Sequence, residues 1–187
     1  MGHPLIRLQP DAATKALARL QEHHGDKLLQ TYEEGVQLGV DLRAADVVAV
    51  LRFLKEDPEL GFVGFLDVTA VDYSKYPKPQ LERFGVIYLL MSPLLGVKVK
   101  VRAFVQAAPA QIDSVSSLFQ GANWGEREVF DFFGIQFVGH PGLKRILMPD
   151  DYRDFPLRKE YPLRGRGERA DFEVYRAFPG TAAEPSS

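Results

Sequence analysis

Cysteine is absent from all 187 residues, which excludes structural disulfides and any thiolate-held iron–sulfur cluster or zinc ion within the chain. Histidine is nearly as scarce. Of the four, His23 and His24 are adjacent and point apart on a helix, while His3 and His140 stand alone, so a histidine-based metal site lacks convergent ligands. A long apolar run is also missing: the longest uncharged stretch, FGVIYLLMSPLLGV at 84–97, contains Pro93 and falls short of the roughly 20 residues that a bilayer-spanning helix needs. The opening MGHPLIRLQPDAATK lacks the continuous apolar core of a secretory signal. No sign of charge dominates. With a net charge of −2 the chain is neither a general polyanion binder nor an acidic tail protein, and any electrostatic function is local. Phosphate-loop and nucleophile-elbow patterns do not occur. GRGERA at 165–170 matches a G-x-G-x-x-A string, but it neither follows a buried strand nor opens a clear helix. Asp150, Asp151 and Asp154 in MPDDYRDF lack the alternating ligands and the glycine of a calcium loop, and read as a turn. The expectation is of no catalytic residue, no cofactor and no metal in this chain.

What is present is enough for one globular domain: 45% of residues are hydrophobic and 26% charged. Residues 11–24 read as a helix with Leu17 and Leu20 on one stripe. LLQTYEE and VQLGVDL read as strands separated by Gly35, after which Asp41 is expected to cap a helix carrying Val47, Val50, Leu51 and Leu54 at helical spacing, ended by Pro58. FVGFLDVTAVDY (62–73) and RFGVIYLLMS (83–92) read as strands joined by a proline-containing loop. VKVKVRAFV (97–105) alternates Lys98, Lys100 and Arg102 with Val97, Val99 and Val101, the pattern of a half-buried antiparallel strand. A helical stretch is expected over QIDSVSSLF, after Pro109.

The segment NWGEREVFDFFGI (123–135) places charges among residues that favour burial. A capped helix accommodates them: Asn123 as N-cap, Glu126 as its capping-box partner three residues on, and Gly134 closing the far end. On that helix Arg127 faces Asp131 at i,i+4 and Glu128 sits over Phe132, while Glu126 and Glu128 lie in the first turn, where the dipole favours anions. Arg127 gains nothing from that dipole. A helix with apolar residues on more than one side is buried on more than one side, and its charges are expected to find partners in another polypeptide.

From His140 onward regular patterns stop. Between Lys144 and Arg169 there are eight Lys or Arg against five Asp or Glu, interleaved with apolar and aromatic residues and with Pro149, Pro156 and Pro162. Such a stretch is too apolar for a disordered tail and too irregular for a domain, so it is expected to lie extended on a surface. Cations alternating with rings also suit single-stranded nucleic acid, but Asp150, Asp151, Asp154 and Glu160 among them favour a protein interface. The expected class is α+β: a mainly antiparallel sheet with helices packed on one side and a long irregular C-terminal arm, with a single domain at 1–139 and the arm at 140–187, docking to about residue 163.

The run EREVFDFFGIQFVGHPGLKRILMPDDYRDFPLRKEYPL, residues 126–163, closely resembles the signature of the 30 kDa (C-type) subunit family of the respiratory NADH:quinone oxidoreductase, complex I. The residues that carry the match include Glu126, Arg127, Glu128, Asp131, Gly134, His140, Pro141, Arg145, Arg158, Lys159 and Tyr161. Two positions depart from the pattern: Phe155 stands before Pro156 where a Gly-His pair is common, and Gly142 stands where an acidic residue is usual. The resemblance implies a peripheral-arm component without catalytic residues of its own. It would dock beside the quinone-reducing (D-type) subunit and close to the B-type one, which holds the terminal iron–sulfur cluster. Iron–sulfur clusters, FMN and quinone would lie in partner subunits, and membrane contact would be indirect, at the cytoplasmic face of the inner membrane. The same building block occurs in membrane-bound hydrogenases and plastoquinone oxidoreductases, which remain the alternative, with a nucleic-acid-binding domain as the alternative of a different class.

Overall fold

The computed structural model describes residues 11–34 and 37–167. Its elements run α1 (Ala12–His24), β1 (Leu28–Glu34), β2 (Gln37–Arg43), α2 (Val47–Glu56), β3 (Gly64–Asp72), β4 (Phe84–Ser92), β5 (Val97–Val105), β6 (Gln111–Asp113), α3 (Ala122–Phe133) and β7 (Gln136–Val138). The first five strands form one sheet in the order β1-β2-β5-β4-β3, and β6 and β7 form a small parallel pair. The architecture is α+β, as the residue patterns indicated.

Alternation decides which face of the sheet is buried. Val40, Val101, Tyr88 and Val68 are successive cross-strand neighbours, and all four are buried. The same row continues through Val97, Val99, Ala103 and Val105 of β5 and Phe84, Val86 and Leu90 of β4. Against this face α1 sets Ala16, Leu17 and Leu20, α2 sets Val47, Val50, Leu51 and Leu54, and α3 sets Ala122, Val129 and Phe133. Fully burying side chains such as Phe62, Phe84 and Leu90 contributes about 1.5–3 kcal/mol each.

Three local expectations are corrected. Asp41 caps no helix. It lies in β2, buried, and accepts from Arg102 Nε at 2.9 Å across the β2/β5 pair, a stronger partner than a helix end offers. β5 is not simply antiparallel: it is antiparallel to β4 but parallel to β2, which places it at the sheet centre. Finally, QIDSVSSLF is not a helix. Gln111–Asp113 pairs with β7, and Ser114 N–H donates to the Val138 carbonyl at 2.8 Å, so the backbone is used laterally.

Candidate functional site

The capped helix α3 and the arm after it form one bonded unit. Gly134 closes α3 with φ 70°, its N–H donating to the Phe130 carbonyl at 2.8 Å, as a left-handed C-terminal residue does. Glycine is needed there for a second reason: a Cβ would lie 2.5 Å from the Phe155 ring and 2.7 Å from the Arg158 guanidinium. The other end differs from expectation. Gly121 is the N-cap and Asn123 makes no capping box. The chain enters α3 from a tight turn whose Phe119 and Gln120 carbonyls already accept from the N–H groups of Ala122 and Asn123.

Freed from capping, Glu126 turns inward and is 0% exposed. Its Oε1 accepts from the Val115 N–H at 2.7 Å and its Oε2 meets Ser114 Oγ at 2.5 Å. Burial pushes its pKa up to about 7, with these two hydrogen bonds pulling the other way. Tyr88, facing the same interior, has a buried hydroxyl without a hydrogen-bond partner among the described residues. Its pKa is raised, first by burial and then by the charges of Glu126 and Asp113.

Asp131 is also 0% exposed, yet it is surrounded by donors. Arg145 Nη1 reaches Oδ1 at 2.7 Å, and the consecutive N–H groups of Ile146, Leu147 and Met148 donate to Oδ2 at 3.1, 2.8 and 2.8 Å. Burial works to raise its pKa, but the Met148 N–H, Arg145 and the other two amides outweigh it, and the carboxyl is held below its ordinary value. Arg145 also donates to the Asp131 and Asp154 carbonyls, with its guanidinium plane near the Tyr152 and Phe155 rings. Arg127 therefore does not pair with Asp131. It donates to the carbonyls of Lys144 at 3.1 Å and Arg145 at 2.8 Å, stacked 4.9 Å from the Trp124 ring. Glu128 is exposed and Pro141 is an exposed turn residue. His140 donates from Nε2 to the Asn123 carbonyl while Nδ1 accepts from the Gly142 N–H, which together assign the neutral ring with its proton on Nε2.

Further along, the arm closes over the end of the β3/β4 hairpin. Leu157 N–H donates to the Phe132 carbonyl, and Arg158 Nε donates to the Phe133 carbonyl at 2.6 Å with its guanidinium over Phe84 and Phe155. Burial, and then the nearby Arg83, lower the Arg158 pKa. The Lys159 backbone N–H reaches Asp72 Oδ2 at 3.0 Å, and Arg83 bridges Asp72 and Glu160. Burial would raise Asp72, but Arg83 and the N–H groups of Lys159 and Ser74 hold it well below the usual carboxylate range. Tyr152 and Tyr161 meet through their hydroxyls at 2.7 Å.

The buried charges of α3 thus have their partners within this chain, contrary to the expectation of partners in another polypeptide. The reason is geometric: the arm folds back with three consecutive amides aimed at one carboxylate, so its acceptor sites are filled before any partner surface arrives. Sequence reasoning missed Asp72, Arg83 and Ser114. Arg83 ends the β3/β4 loop one residue before Phe84, the cross-strand partner of Asp72, but nothing in local spacing announces that residue 159 will join them. Among the described residues no group of three or more His, Asp or Glu side chains could hold a metal ion, and no helix is long and apolar enough to cross a membrane.

Comparison with known proteins gives this unit a context. Residues 40–167 match the family model described as respiratory-chain NADH dehydrogenase, 30 Kd subunit. The C 1 subunit of the NADH-quinone oxidoreductase of Rhizobium meliloti (strain 1021) is 38% identical over 167 residues, 89% of this chain and 81% of that protein. The C subunit of the NADH-quinone oxidoreductase of Citrifermentans bemidjiense is 40% identical over 151 residues, 81% of this chain and 90% of that protein. Among solved structures, the trypsin-resistant fragment of Nqo5 superposes with a TM-score of 0.61 at 31% identity, covering 71% of this chain and 99% of the fragment. A chain of the membrane-bound sulfane sulfur reductase, an archaeal respiratory membrane complex, superposes with a TM-score of 0.71 over 92% of this chain and 98% of its own, and at 21% identity shares the fold alone. The matched span holds α3, the Asp131 clasp and the closure on Asp72 together, and the chain belongs to the respiratory-chain NADH dehydrogenase 30 kDa subunit family.

Proposed function

We propose that this chain is a non-catalytic subunit of the peripheral arm of a proton-translocating NADH:quinone oxidoreductase, holding the quinone-reducing module in shape. The names of its relatives support the complex, and one observation supports the scaffolding role. The arm turns its charges inward on α3 and β3, while Leu147, Leu157 and Leu163 face out at 62%, 49% and 104% exposure. A rigid backing with projecting apolar side chains is how a protein interface places its anchors. In this reading the arm from His140 to about Leu163 lies along a neighbouring protein, with the quinone-reducing (D-type) subunit beside it and the B-type one close by. The clusters, flavin and quinone belong to those partners and to the rest of the complex, and the chain sits at the cytoplasmic face of the membrane through them.

The internal use of the cations argues against a nucleic-acid groove. Arg127, Arg145 and Arg158 each direct donors to carbonyls or a carboxylate of this chain. Pull-down of the tagged full-length chain from its native membranes in mild detergent, followed by mass spectrometry, tests the proposal. Quinone-module and NADH-oxidising subunits in the eluate are expected. Hydrogenase or sulfur-reductase subunits instead would move the chain to a sister complex, and nucleic acid alone would overturn the reading.

A further inference from the structure

Glu126 is a fully buried carboxyl that the docking role does not use, and it stands at the inner end of a chain of hydroxyls. Its Oε2 lies 2.5 Å from Ser114 Oγ, which lies 2.7 Å from Ser116 Oγ, and Ser116 is partly exposed. The Ser116 N–H donates to Ser114 Oγ at 3.2 Å. A hydroxyl can donate once and accept twice, and Ser114 meets that limit in two ways. With Glu126 ionised, Ser114 donates to the carboxylate and accepts from the Ser116 hydroxyl and amide. With Glu126 neutral, the acid donates to Ser114, which now donates to Ser116 and still accepts from the Ser116 amide. The connection is complete in both states, with only the O–H directions reversed.

We infer that Glu126 is a proton-binding site connected to solvent through Ser114 and Ser116. Loading moves one proton from solvent to Ser116 Oγ, the Ser116 proton to Ser114 Oγ, and the Ser114 proton to Glu126 Oε2; release reverses each step. The surroundings leave the site without a counter-cation among the described residues. From β4 comes the Tyr88 hydroxyl, from β6 Asp113, and from α2 Lys55, which donates to the Leu118 carbonyl. On α3 itself Arg127 is turned to the Lys144 and Arg145 carbonyls and Glu128 is exposed, while the neutral His140 ring sits on the Asn123 carbonyl. Burial without a cation favours the proton, while the Val115 amide and the Ser114 hydroxyl favour the anion, so the site is balanced where a small change in environment reverses its occupancy.

The test is a carboxyl-carbon NMR titration of the full-length chain carrying labelled glutamate, with the Glu126 signal assigned through its loss in Glu126→Gln. Glu126 is expected to bind its proton about a hundredfold more tightly than the exposed glutamates, and Ser114→Ala, which removes a donor to the anion, is expected to tighten it further. Should Glu126→Gln fail to fold, the signal is assigned in the unsubstituted chain through its bonded correlation to the Glu126 backbone amide. A Glu126 signal that titrates together with the exposed glutamates overturns the site. A signal that titrates apart but is unmoved by Ser114→Ala overturns the hydroxyl connection.

Discussion

Arg145 donates through one nitrogen to Asp131 twice, to the side-chain oxygen at 2.7 Å and to the backbone carbonyl at 3.0 Å, and so binds the arm to α3 at a single residue. Removing the carboxylate leaves three amides without their acceptor and the guanidinium with backbone carbonyls alone. Asp131→Ala is expected to cost about 3–5 kcal/mol in urea denaturation and to open the segment around residues 144–160 to proteolysis. A loss below about 1 kcal/mol would show that the clasp is not what holds the arm.

Arg127 offers a finer test, because it bonds two carbonyls and no carboxylate. Arg127→Ala is expected to lower stability by about 1–3 kcal/mol, and Arg127→Lys to recover little of that, since an ammonium cannot span both carbonyls as the guanidinium fork does. Equal denaturation midpoints for Arg127→Lys and the parent chain would contradict this.

Gly134→Ala combines left-handed backbone with a collision. The strain is about 1–2 kcal/mol and displacing Phe155 and Arg158 adds about 1–3 kcal/mol, which thermal denaturation would register as a clear drop in Tm. Hydrogen exchange at Leu157, Arg158 and Lys159 is expected to accelerate ahead of exchange in β4 and β5. Uniform acceleration would show that the arm has no opening of its own.

Acid and base each weaken this fold, through different carboxyls. Asp72 and Asp131 have depressed pKa values, so their contribution is present above the ordinary aspartate value of 3.8 and is lost as pH falls through their folded values. Glu126 is raised from 4.5 to about 7. Its contribution is fully present below 4.5 and is lost as pH rises through about 7, by about 3 kcal/mol in all. Unfolding free energies of the parent chain minus those of Glu126→Gln, measured by urea across that window, should decline with rising pH and then level. A flat difference would contradict the raised value.

The outward leucines separate docking from folding. Leu147→Asp and Leu157→Asp sit on exposed positions and are expected to change stability by no more than about 0.5 kcal/mol, while sharply reducing recovery of partner subunits in the pull-down. Unchanged recovery would place the interface elsewhere on the chain.

Much of this was legible in the residues because period carries burial. Val47, Val50, Leu51 and Leu54, spaced as a helix, are all buried in α2, and the valines of β5 alternate as they should. The same logic misled at 111–119. Ile112, Val115 and Phe119 recur at helical spacing and are all buried, yet the segment is a short strand and turns, because spacing reports which side chains go in and not which backbone bonds form. Parallel and antiparallel pairing share a period of two, so the β2/β5 pairing left no trace in alternation. At Glu126 and Asp131 the capping and i,i+4 rules described real local options, and donors from distant residues outcompeted them. The match to the 30 kDa family rested on that same stretch, because it fixes the clasp by residue type as well as by position.

The closure of Lys159 on Asp72 also imposes an order of events. Its two partners are separated by 87 residues, and Asp131 waits for amides 15 to 17 residues further on. A chain emerging from its N-terminus therefore completes the sheet and α3 while Asp131 still lacks its three amides and Asp72, already bonded to Arg83 and Ser74, still lacks the Lys159 N–H. The arm is the last part to add and closes a contact across 87 residues, so its closure converts an already formed but incomplete body into one unit of sheet, helix and arm.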